Sequence, residues 1–199
     1  MLGGTVRGKR TTLRIPVEAD LASHARWAAD LRMQRGGPGA TWGTAVATAT
    51  WKERFAEQAK DRGSVLWSID DEEGALVGSA LVNFDGGATA DTVGVRHFLV
   101  DPDRWHGGLG WDAALALHRW IFDFMDLRLA YAILPADNVH AIRILDRLGH
   151  ESFGLGHAVY YRDGAYADQA HRIMSKDAWT ERWGASEREY EPLPAAAYL

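Results

Sequence analysis

Hydrophobic and polar positions change their spacing along the first hundred residues. Residues 9–15 are rich in β-branched side chains and stop at Pro16, which is typical of a strand. Residues 17–33 and 51–61 carry apolar side chains at helical spacing. The period then falls to two, with polar turns between the apolar runs. This order predicts a strand, two helices and three antiparallel strands over residues 65–69, 75–84 and 93–100.

The second half of the chain alternates helices with strands. Helical spacing over residues 110–126 and 138–148 predicts two helices, the second ended by Gly149. A strand–helix–strand crossover requires at least one parallel pair of strands. We therefore predict an α+β fold with one mixed, mostly antiparallel sheet flanked by helices. The strands of this half cover residues 129–134, 152–161 and 165–174.

The chain has the size and composition of one globular domain. It holds 199 residues, of which 47% are hydrophobic and 25% are charged. All predicted elements lie within residues 1–179, and residues 180–199 are polar with two prolines. We expect one domain over residues 1–179 and a peripheral tail over residues 180–199.

Several classes of function are excluded by what the sequence lacks. It has no cysteine, which removes thiol nucleophiles, disulfides and cysteine-based zinc sites. No apolar run reaches the roughly 18 residues of a membrane span, and the first residues carry no signal core. The net charge is −5 without a Lys/Arg run, so no nucleic-acid partner is expected. The histidines show no metal-ligand spacing, and we predict a cytoplasmic protein without a metal.

A glycine-rich segment carries the candidate chemistry. It follows the strand that ends at Val100 and reads Trp105-His106-Gly107-Gly108-Leu109-Gly110, directly before a predicted helix. Glycines let backbone N–H groups approach an anion, and a helix N-terminus adds unpaired donors and partial positive charge. The pattern indicates a site for a pyrophosphate.

Other interpretations of this loop are open at this point. A Walker A loop needs a Lys-Ser/Thr pair that the segment lacks. Residues 108–113 match the G-x-G-x-x-A fingerprint of dinucleotide-binding folds, although hairpin signals precede them. No acidic residue ends the next strand, at Leu134, to hold a ribose. A helix that simply begins at a glycine turn is the third interpretation.

Two motifs together resemble the GCN5-related N-acetyltransferases (GNAT), in particular their RimJ/RimL-like branch. In that branch a strand ending in Val precedes a glycine loop in which Trp often comes first; here Val100 stands five residues before Trp105. Gly107 takes the place of the branch's usual Lys. The helix from Asn138 to Gly149 is similar to the family's Asn-x-x-Ser/Ala helix. The resemblance covers roughly residues 9 to 179.

The resemblance implies a seven-stranded sheet that is splayed between strands four and five. Acetyl-coenzyme A would lie in that gap as co-substrate, and an amine would attack its thioester directly. The acceptor would be a small-molecule amine or a protein N-terminus. A non-catalytic acyl-CoA-binding module is the alternative. The residues that would hold the coenzyme are Leu99, Val100, Trp105, His106, Gly107, Gly108, Leu109, Gly110 and Asn138.

His97 and Asn138 are the candidate catalytic residues. A neutral His97 on the central strand is a plausible base, and the rate should then rise through its reference pKa of about 6.5. Strict alternation puts His97 on one face with Val95 and Leu99, unless a bulge interrupts the strand. Asn138 opens its helix and either caps it or contacts the pantetheine and the reacting centre.

The usual proton donors of the family are replaced in this chain. Ala141 and Leu145 stand where relatives carry Ser or Tyr, and neither side chain donates a proton. The leaving thiolate would depart unassisted or would be protonated by water or by an aromatic hydroxyl. Tyr160 and Tyr161 are the candidates for that hydroxyl.

The nine tryptophans give two further expectations. Those in the first third of the chain either pack in the core or line an aromatic acceptor pocket; they are Trp27, Trp42, Trp51 and Trp67. Trp179 and Trp183, near the tail, are candidates for burial on a second subunit, which predicts a homodimer.

Overall fold

The fold is a single mixed sheet with helices on its two faces. The computed structural model describes residues 4–36, 48–85, 91–162 and 164–184. The strands are β1 (Val6–Arg7), β2 (Thr11–Arg14), β3 (Ser64–Asp71), β4 (Leu76–Asp85), β5 (Thr92–Val100), β6 (Leu129–Pro135), β7 (Glu151–Arg162) and β8 (Ala165–Ser175). Their spatial order is β1-β2-β3-β4-β5-β6-β8-β7.

The described residues form three helices between β2 and β3, one on each side of β6, and one after β8. They are α1 (Leu21–Ala29), α2 (Leu31–Gly36), α3 (Thr48–Lys60), α4 (Leu109–Arg119), α5 (Val139–Leu148) and α6 (Lys176–Trp183). A 3-10 turn over Glu18–Asp20 precedes α1, and one wide π-turn over Trp120–Phe124 continues α4.

The sequence-based prediction missed two short elements. The described sheet has eight strands instead of seven, because Val6 and Arg7 pair with the far side of β2. Two residues are too few to show a period. The helix predicted over residues 17–33 is divided at Asp30, which adopts extended backbone angles. The helix α6 was also missed, and it runs past residue 179 to Trp183.

The sheet contains one parallel pair among its described strands. Strands β5 and β6 run parallel, and all other neighbours are antiparallel. This confirms the predicted mixed sheet. A dinucleotide-binding fold needs successive parallel βαβ units, so the dinucleotide-binding alternative is wrong.

The parallel pair separates along its length. Hydrogen-bonded partners run only from Thr92 beside Leu129 to Val95 beside Ala132. Beyond this point residues 97–100 pair with β4 alone. The C-terminal half of β5 therefore borders a gap, at the position where the resemblance implies a splayed sheet.

The apolar core fills the face of the sheet that packs against α4. It includes Trp67, Ile69 and Val82 from the strands and Leu117 and Phe122 from the α4 region, all inaccessible to solvent. Ser68 alternates with Trp67 and Ile69, and its hydroxyl donates a hydrogen bond of 2.6 Å to Asp20, just before α1. The opposite face of β3 is thus covered by the α1 region. Trp67 belongs to the core, whereas Trp42 lies outside the described residues.

Candidate functional site

A bulge in β5 decides which face the candidate base occupies. His97 lies opposite Leu81, whereas Val95 lies opposite Val82, so Arg96 is an extra residue in the strand. Neighbouring residues of β4 point to opposite faces. His97 therefore does not share a face with Val95, as strict alternation predicts. It points to the side of the sheet that carries Ser79.

The bulged strand presents part of its backbone to the gap. The N–H of Asp101 donates to the Val77 carbonyl at 2.7 Å, on the β4 side. Because antiparallel pairing alternates along a strand, the backbone groups of Leu99 also face β4, whereas those of Phe98 and Val100 face the gap. The backbone of Val100 therefore faces the gap and that of Leu99 faces β4, and contact of either residue with a pantetheine stays a prediction.

The glycine-rich loop lies at the end of this gap. Gly108 caps α4 with a left-handed φ of 81°, and it has no side chain with which to satisfy the first helical N–H groups. A Cβ on Gly110 would lie 3.5 Å from Val100 and 3.6 Å from Ile144, so Gly110 sits between β5 and α5. The loop thus points unpaired donors and the positive end of a helix toward the mouth of the gap.

The aromatic residue that opens the loop is tied to the strand. The indole N–H of Trp105 donates to the Val100 carbonyl at 2.8 Å. Trp105 remains 41% exposed. Its indole therefore holds the loop against the strand instead of packing in the core. His106 has a positive φ of 68°, and its ring lies 6.0 Å from that of His140 on α5. Both imidazoles are exposed.

Arg10, which belongs to neither of the sequence motifs, places a cation on the loop. The guanidinium of Arg10, at the N-terminal end of β2, donates to the Gly107 carbonyl. Gly107 stands where the branch resembled by this chain carries Lys. Arg10 therefore brings a positive charge to the loop from 97 residues away. No local signal in the sequence indicates this contact.

Asp112 holds the segment that carries Arg10 against α4. Its carboxylate accepts hydrogen bonds from the backbone N–H groups of Lys9 (3.0 Å) and Arg10 (2.9 Å) and from the Thr11 hydroxyl (2.7 Å). Asp112 is buried, and these donors compensate for the loss of its hydration. The residue therefore positions the loop through the turn between β1 and β2.

His97 is neutral at pH 7 and is hydrogen-bonded. Its Nε2 lies 2.8 Å from the hydroxyl of Ser79, which is inaccessible to solvent. Burial and, to a smaller extent, the nearby His24 lower the pKa of His97 to about 4. A free-enzyme pKa near 6.5, as expected for an exposed imidazole, does not apply to this residue. Above pH 6 the imidazole is a neutral acceptor or donor whose tautomer depends on Ser79.

Aromatic side chains of α1 and α3 lie on the side of the sheet that carries His97. The ring of His24 lies 5.5 Å from that of Trp27 and 5.9 Å from that of Trp51. Arg26 of α1 forms an ion pair of 2.6 Å with Asp101, directly after β5. Helix α1 is thereby held over the end of the strand that carries His97. Trp27 is fully packed. A role of Trp27 or Trp51 in an acceptor pocket stays a prediction.

Asn138 acts as a helix cap. Its side-chain oxygen accepts a hydrogen bond of 3.2 Å from the N–H of Ala141. Its contact with a coenzyme stays a prediction. Leu145 is buried in the core, and Ala141 is half-buried beside it.

The two tyrosines suggested as acids differ in their surroundings. Tyr160 accepts a hydrogen bond from the Gln169 amide through its hydroxyl, on the hairpin formed by β7 and β8. Tyr161 is exposed and packs edge-on against Tyr166, with ring centroids 5.1 Å apart. Tyr160 is thus held in one orientation, whereas Tyr161 lies at the surface.

The tryptophans near the tail pack inside this chain. Trp179 is 2% exposed, stacks on Phe122 and donates from its indole to Asp123 at 2.9 Å. The indole of Trp183 donates to the Leu148 carbonyl at 2.8 Å. The expectation that Trp179 is an exposed contact for a partner is therefore wrong, because α6 buries this ring within the subunit. The residues beyond 184 lie outside the described part of the chain.

The described ranges contain neither a metal-binding cluster nor a membrane-spanning helix. Within residues 4–36, 48–85, 91–162 and 164–184, no three side chains of the types that bind metals are grouped closely enough to hold an ion. Over the same ranges, no helix combines the length and the apolar character needed to span a membrane.

Comparison with known proteins places this geometry in a family. No curated protein matches the chain. A spermidine N-acetyltransferase from Vibrio cholerae, solved with CoA and spermine, has a TM-score of 0.76 at 13% identity and covers 85% of this chain and 97% of its own. A GNAT-family acetyltransferase from Bacillus anthracis has a TM-score of 0.72 at 14% identity, with 87% and 99% covered. A dodecameric spermidine N-acetyltransferase from Vibrio cholerae gives 0.70 at 13%, with 87% and 98% covered.

These identities show a common fold and no more, so the family assignment depends on the sequence comparison. The sequence model described as an acetyltransferase (GNAT) domain matches residues 10–151, which is well over half of the chain. The protein therefore belongs to the GNAT acetyltransferase family.

Proposed function

We propose that this protein transfers an acetyl group from acetyl-coenzyme A to a primary amine. The observation that carries the proposal is the continuity of the gap with the loop. Strand β5 leaves β6 after Val95, presents the backbone of Phe98 and Val100 to the gap, and leads to the uncapped N-terminus of α4. A long ligand with an amide-containing arm and a pyrophosphate matches both parts of this surface.

The binding roles follow from this arrangement. The pantetheine amides would pair with the backbone of Phe98 and Val100, in the manner of an added strand. The pyrophosphate would accept hydrogen bonds from the loop over residues 106–110, with Arg10 adding charge at Gly107. Asn138 opens α5, and its side chain would contact the pantetheine.

The chemistry would be a direct transfer. The chain has no cysteine to carry an acyl group, and the amine nitrogen would attack the thioester carbonyl carbon. A backbone N–H of β5 would stabilise the developing oxyanion. The C–S bond then breaks and the thiolate leaves, while the nitrogen gives up one proton.

His97 is our candidate for receiving that proton. For this role Ser79 must accept from the imidazole Nε2–H, so that the Nδ1 lone pair is free. The opposite arrangement, in which the Ser79 hydroxyl donates to Nε2, leaves no free nitrogen on a neutral ring. The hydrogen bond to Ser79 therefore decides whether His97 can serve as a base.

The acceptor is proposed only by class. Two of the structural neighbours are spermidine N-acetyltransferases, and one of these was solved with spermine. The aromatic surroundings of His24 favour an amine with an apolar portion, either a small molecule or a protein N-terminus. We also propose the RimJ/RimL-like branch, a cytoplasmic location and assembly into a homo-oligomer, since one neighbour is described as dodecameric.

The test is thiol release with a panel of amines. The absence of cysteine makes the protein silent toward thiol-reactive dyes, so any signal comes from free coenzyme A. We expect acetyl-CoA to raise the melting temperature and to release thiol with at least one primary amine. Stabilisation without release from any amine would identify a non-catalytic acyl-CoA-binding module instead.

Two loop variants test the placement of the coenzyme. Gly108→Val introduces a side chain at a left-handed φ, and Gly110→Val projects methyl groups toward Val100 and Ile144. Both should abolish the melting shift with acetyl-CoA while the protein stays folded by circular dichroism. An unchanged shift in both variants contradicts the assignment of the loop.

A further inference from the structure

The bulge in β5 places an arginine directly beside the candidate base. Arg96 is the extra residue of the bulge, it precedes His97 in the chain, and it is exposed to solvent. Its guanidinium carbon lies 5.4 Å from the centroid of the Tyr131 ring, which projects from β6. The position of this ring therefore shows on which side of the sheet the cation lies.

The Tyr131 ring crosses β5 on the side that carries His97. A Cβ on Gly94 would lie 2.7 Å from Cζ and from the hydroxyl of Tyr131, so the ring covers Gly94 and only glycine leaves room for it. Gly94 and His97 lie opposite two residues of β4 that are two positions apart, and such residues share a face. Arg96, the Tyr131 ring and His97 therefore lie on one face of the sheet, which we call the His97 face.

The carboxylates around this face do not oppose the charge of Arg96. Strands β5 and β6 contain no Asp or Glu. Two carboxylates that meet the α1 region, Asp20 and Asp101, form ion pairs with Arg14 at 2.8 Å and with Arg26 at 2.6 Å. These pairs cancel their own charges, and the two strands that present Arg96 and Tyr131 add none that is negative.

The helices on this side of the sheet add positive charge. Residues 21–60, which include α1, α2 and α3, contain six Lys/Arg and three Asp/Glu, whereas the whole chain contains 22 and 27. This region is thus opposite in sign to the chain as a whole. A positive surface attracts anions, and a polycation would need carboxylates in the same place.

We infer that Arg96 binds a carboxylate of the acceptor, which is therefore an amine with a carboxylate close to its nitrogen, as in an amino acid. The inference rests on the proposed acetyl transfer. A guanidinium holds a carboxylate through two parallel hydrogen bonds, and the ring of Tyr131 supports the plane of that guanidinium. The amine of such an acceptor would then lie within reach of His97, the next residue of the strand.

This acceptor class differs from the spermidine of two structural neighbours. Spermidine carries several ammonium groups and no carboxylate, so it would meet like charge at Arg96. Arg96 would act as a specificity-determining residue, because it would touch the acceptor outside the reacting atoms.

The test measures thiol release from acetyl-CoA with pairs of amines that differ only in a carboxylate. Each pair is an α- or β-amino acid and its amide, for example glycine with glycinamide, β-alanine with β-alaninamide and L-phenylalanine with L-phenylalaninamide. The two are compared at equal concentrations of the unprotonated amine. We expect at least one amino acid to exceed its amide about tenfold or more in kcat/KM, as a hydrogen-bonded charge pair provides.

Three variants connect this preference to Arg96. Arg96→Gln should bring the two members of the pair within about twofold of each other, through a higher KM for the amino acid. Arg96→Lys keeps the charge without the planar fork and should retain a preference of about threefold. Arg7→Gln is the matched control, since Arg7 is an exposed cation on β1, three strands away from β5, and it should keep the full preference. Melting temperatures show that the variants are folded.

Three results overturn the inference. In the first, the wild-type protein releases thiol with some amine, but no amino acid exceeds its amide; this ratio decides the question whether or not each variant folds. In the second, the preference survives Arg96→Gln or is lost equally in Arg7→Gln. In the third, spermidine exceeds every amino acid in kcat/KM. A wild-type protein that releases no thiol with any amine fails the proposed function itself, and the inference falls with it.

Discussion

Two histidines of this protein, His97 and His118, both have a low pKa but lie in different surroundings. His97 on β5 has a pKa of about 4, and so does His118 on α4, in each case mainly because of burial. His97 is only half-buried and bonds to a serine hydroxyl at the face covered by α1. His118 is 2% exposed and lies in the core beside Trp179. A lowered pKa therefore does not by itself identify a functional histidine.

The core histidine, His118, is hydrogen-bonded through both of its ring nitrogens. The Nδ1–H of His118 donates to the Ala114 carbonyl at 2.7 Å, because a carbonyl can only accept. Its Nε2 must then accept from the Nε2–H of His150, at 2.8 Å. Burial lowers the pKa of His150 to about 2. Both rings are neutral, and their hydrogen bonds are structural.

The largest expected effect is a loss of turnover when His97, and not His118, is replaced. His97→Gln should lower kcat by about 10²–10⁴-fold, if this imidazole takes the amine proton. The affinity for acetyl-CoA, measured by calorimetry, should be unchanged. Turnover per folded molecule that is nearly unaltered would assign His97 a packing role only.

Replacement of the core histidine, His118, should lower the stability of the protein. His118→Ala removes a buried ring and leaves His150 without its acceptor, which should cost about 2–4 kcal/mol of unfolding free energy. Urea denaturation measures this loss. The kcat of the folded fraction should stay within about twofold of wild type, and a drop comparable to that of His97→Gln would contradict the distinction between the two sites.

The pH dependence of stability follows from the same pair. Their folded pKa values lie below the unfolded value of about 6.5, so the unfolded state binds more protons in acid. Stability is fully present above pH 6.5 and should fall by on the order of 1–3 kcal/mol as the pH drops toward 4. Denaturant titrations at several pH values measure this. A His118→Leu/His150→Leu variant should show a shallower decline, and an identical slope would exclude the pair as its source.

The pH dependence of the rate should differ from that of stability. Because the pKa of His97 is about 4, its protonation does not limit kcat/KM between pH 6 and 9. The rising limb in that range should follow the pKa of the acceptor amine when acceptors are varied. A limb that remains near 6.5 for every acceptor would contradict the low pKa of His97.

The smallest expected effect concerns Ser79. Ser79→Ala removes the group that selects the His97 tautomer, and kcat should fall about tenfold with the KM for acetyl-CoA unchanged. Ser68→Ala is the control, since Ser68 is equally buried and its hydroxyl bonds to Asp20 instead. Similar kcat values for the two variants would remove Ser79 from the site.

Most of the strands and helices that carry these sites are predictable from the local sequence. The alternation over residues 65–100 and the helical spacing of residues 110–126 correspond to observed elements. Gly149 adopts the left-handed conformation that its place at the C-terminal end of a helix suggests. These features depend on backbone preferences and side-chain periodicity within a few residues, which is why a single sequence contains them.

Contacts between distant segments could not be predicted in this way. The bulge at Arg96 depends on how β5 aligns with β4, and it alone turns His97 toward Ser79 and α1. Trp179 has the same hydrophobic character whether a partner or its own core covers it, and the packing of α6 decides which.

The sequence by itself determined the order of the longer elements, the glycine loop at the start of α4 and the absence of a thiol nucleophile. Only the tertiary structure brought Arg10 to Gly107 and Asp112 to the turn before β2, across about a hundred residues of chain. The physical reason is that hydrogen-bonding groups and charges act over a few ångströms of space. Folding alone sets those distances for residues far apart in the chain.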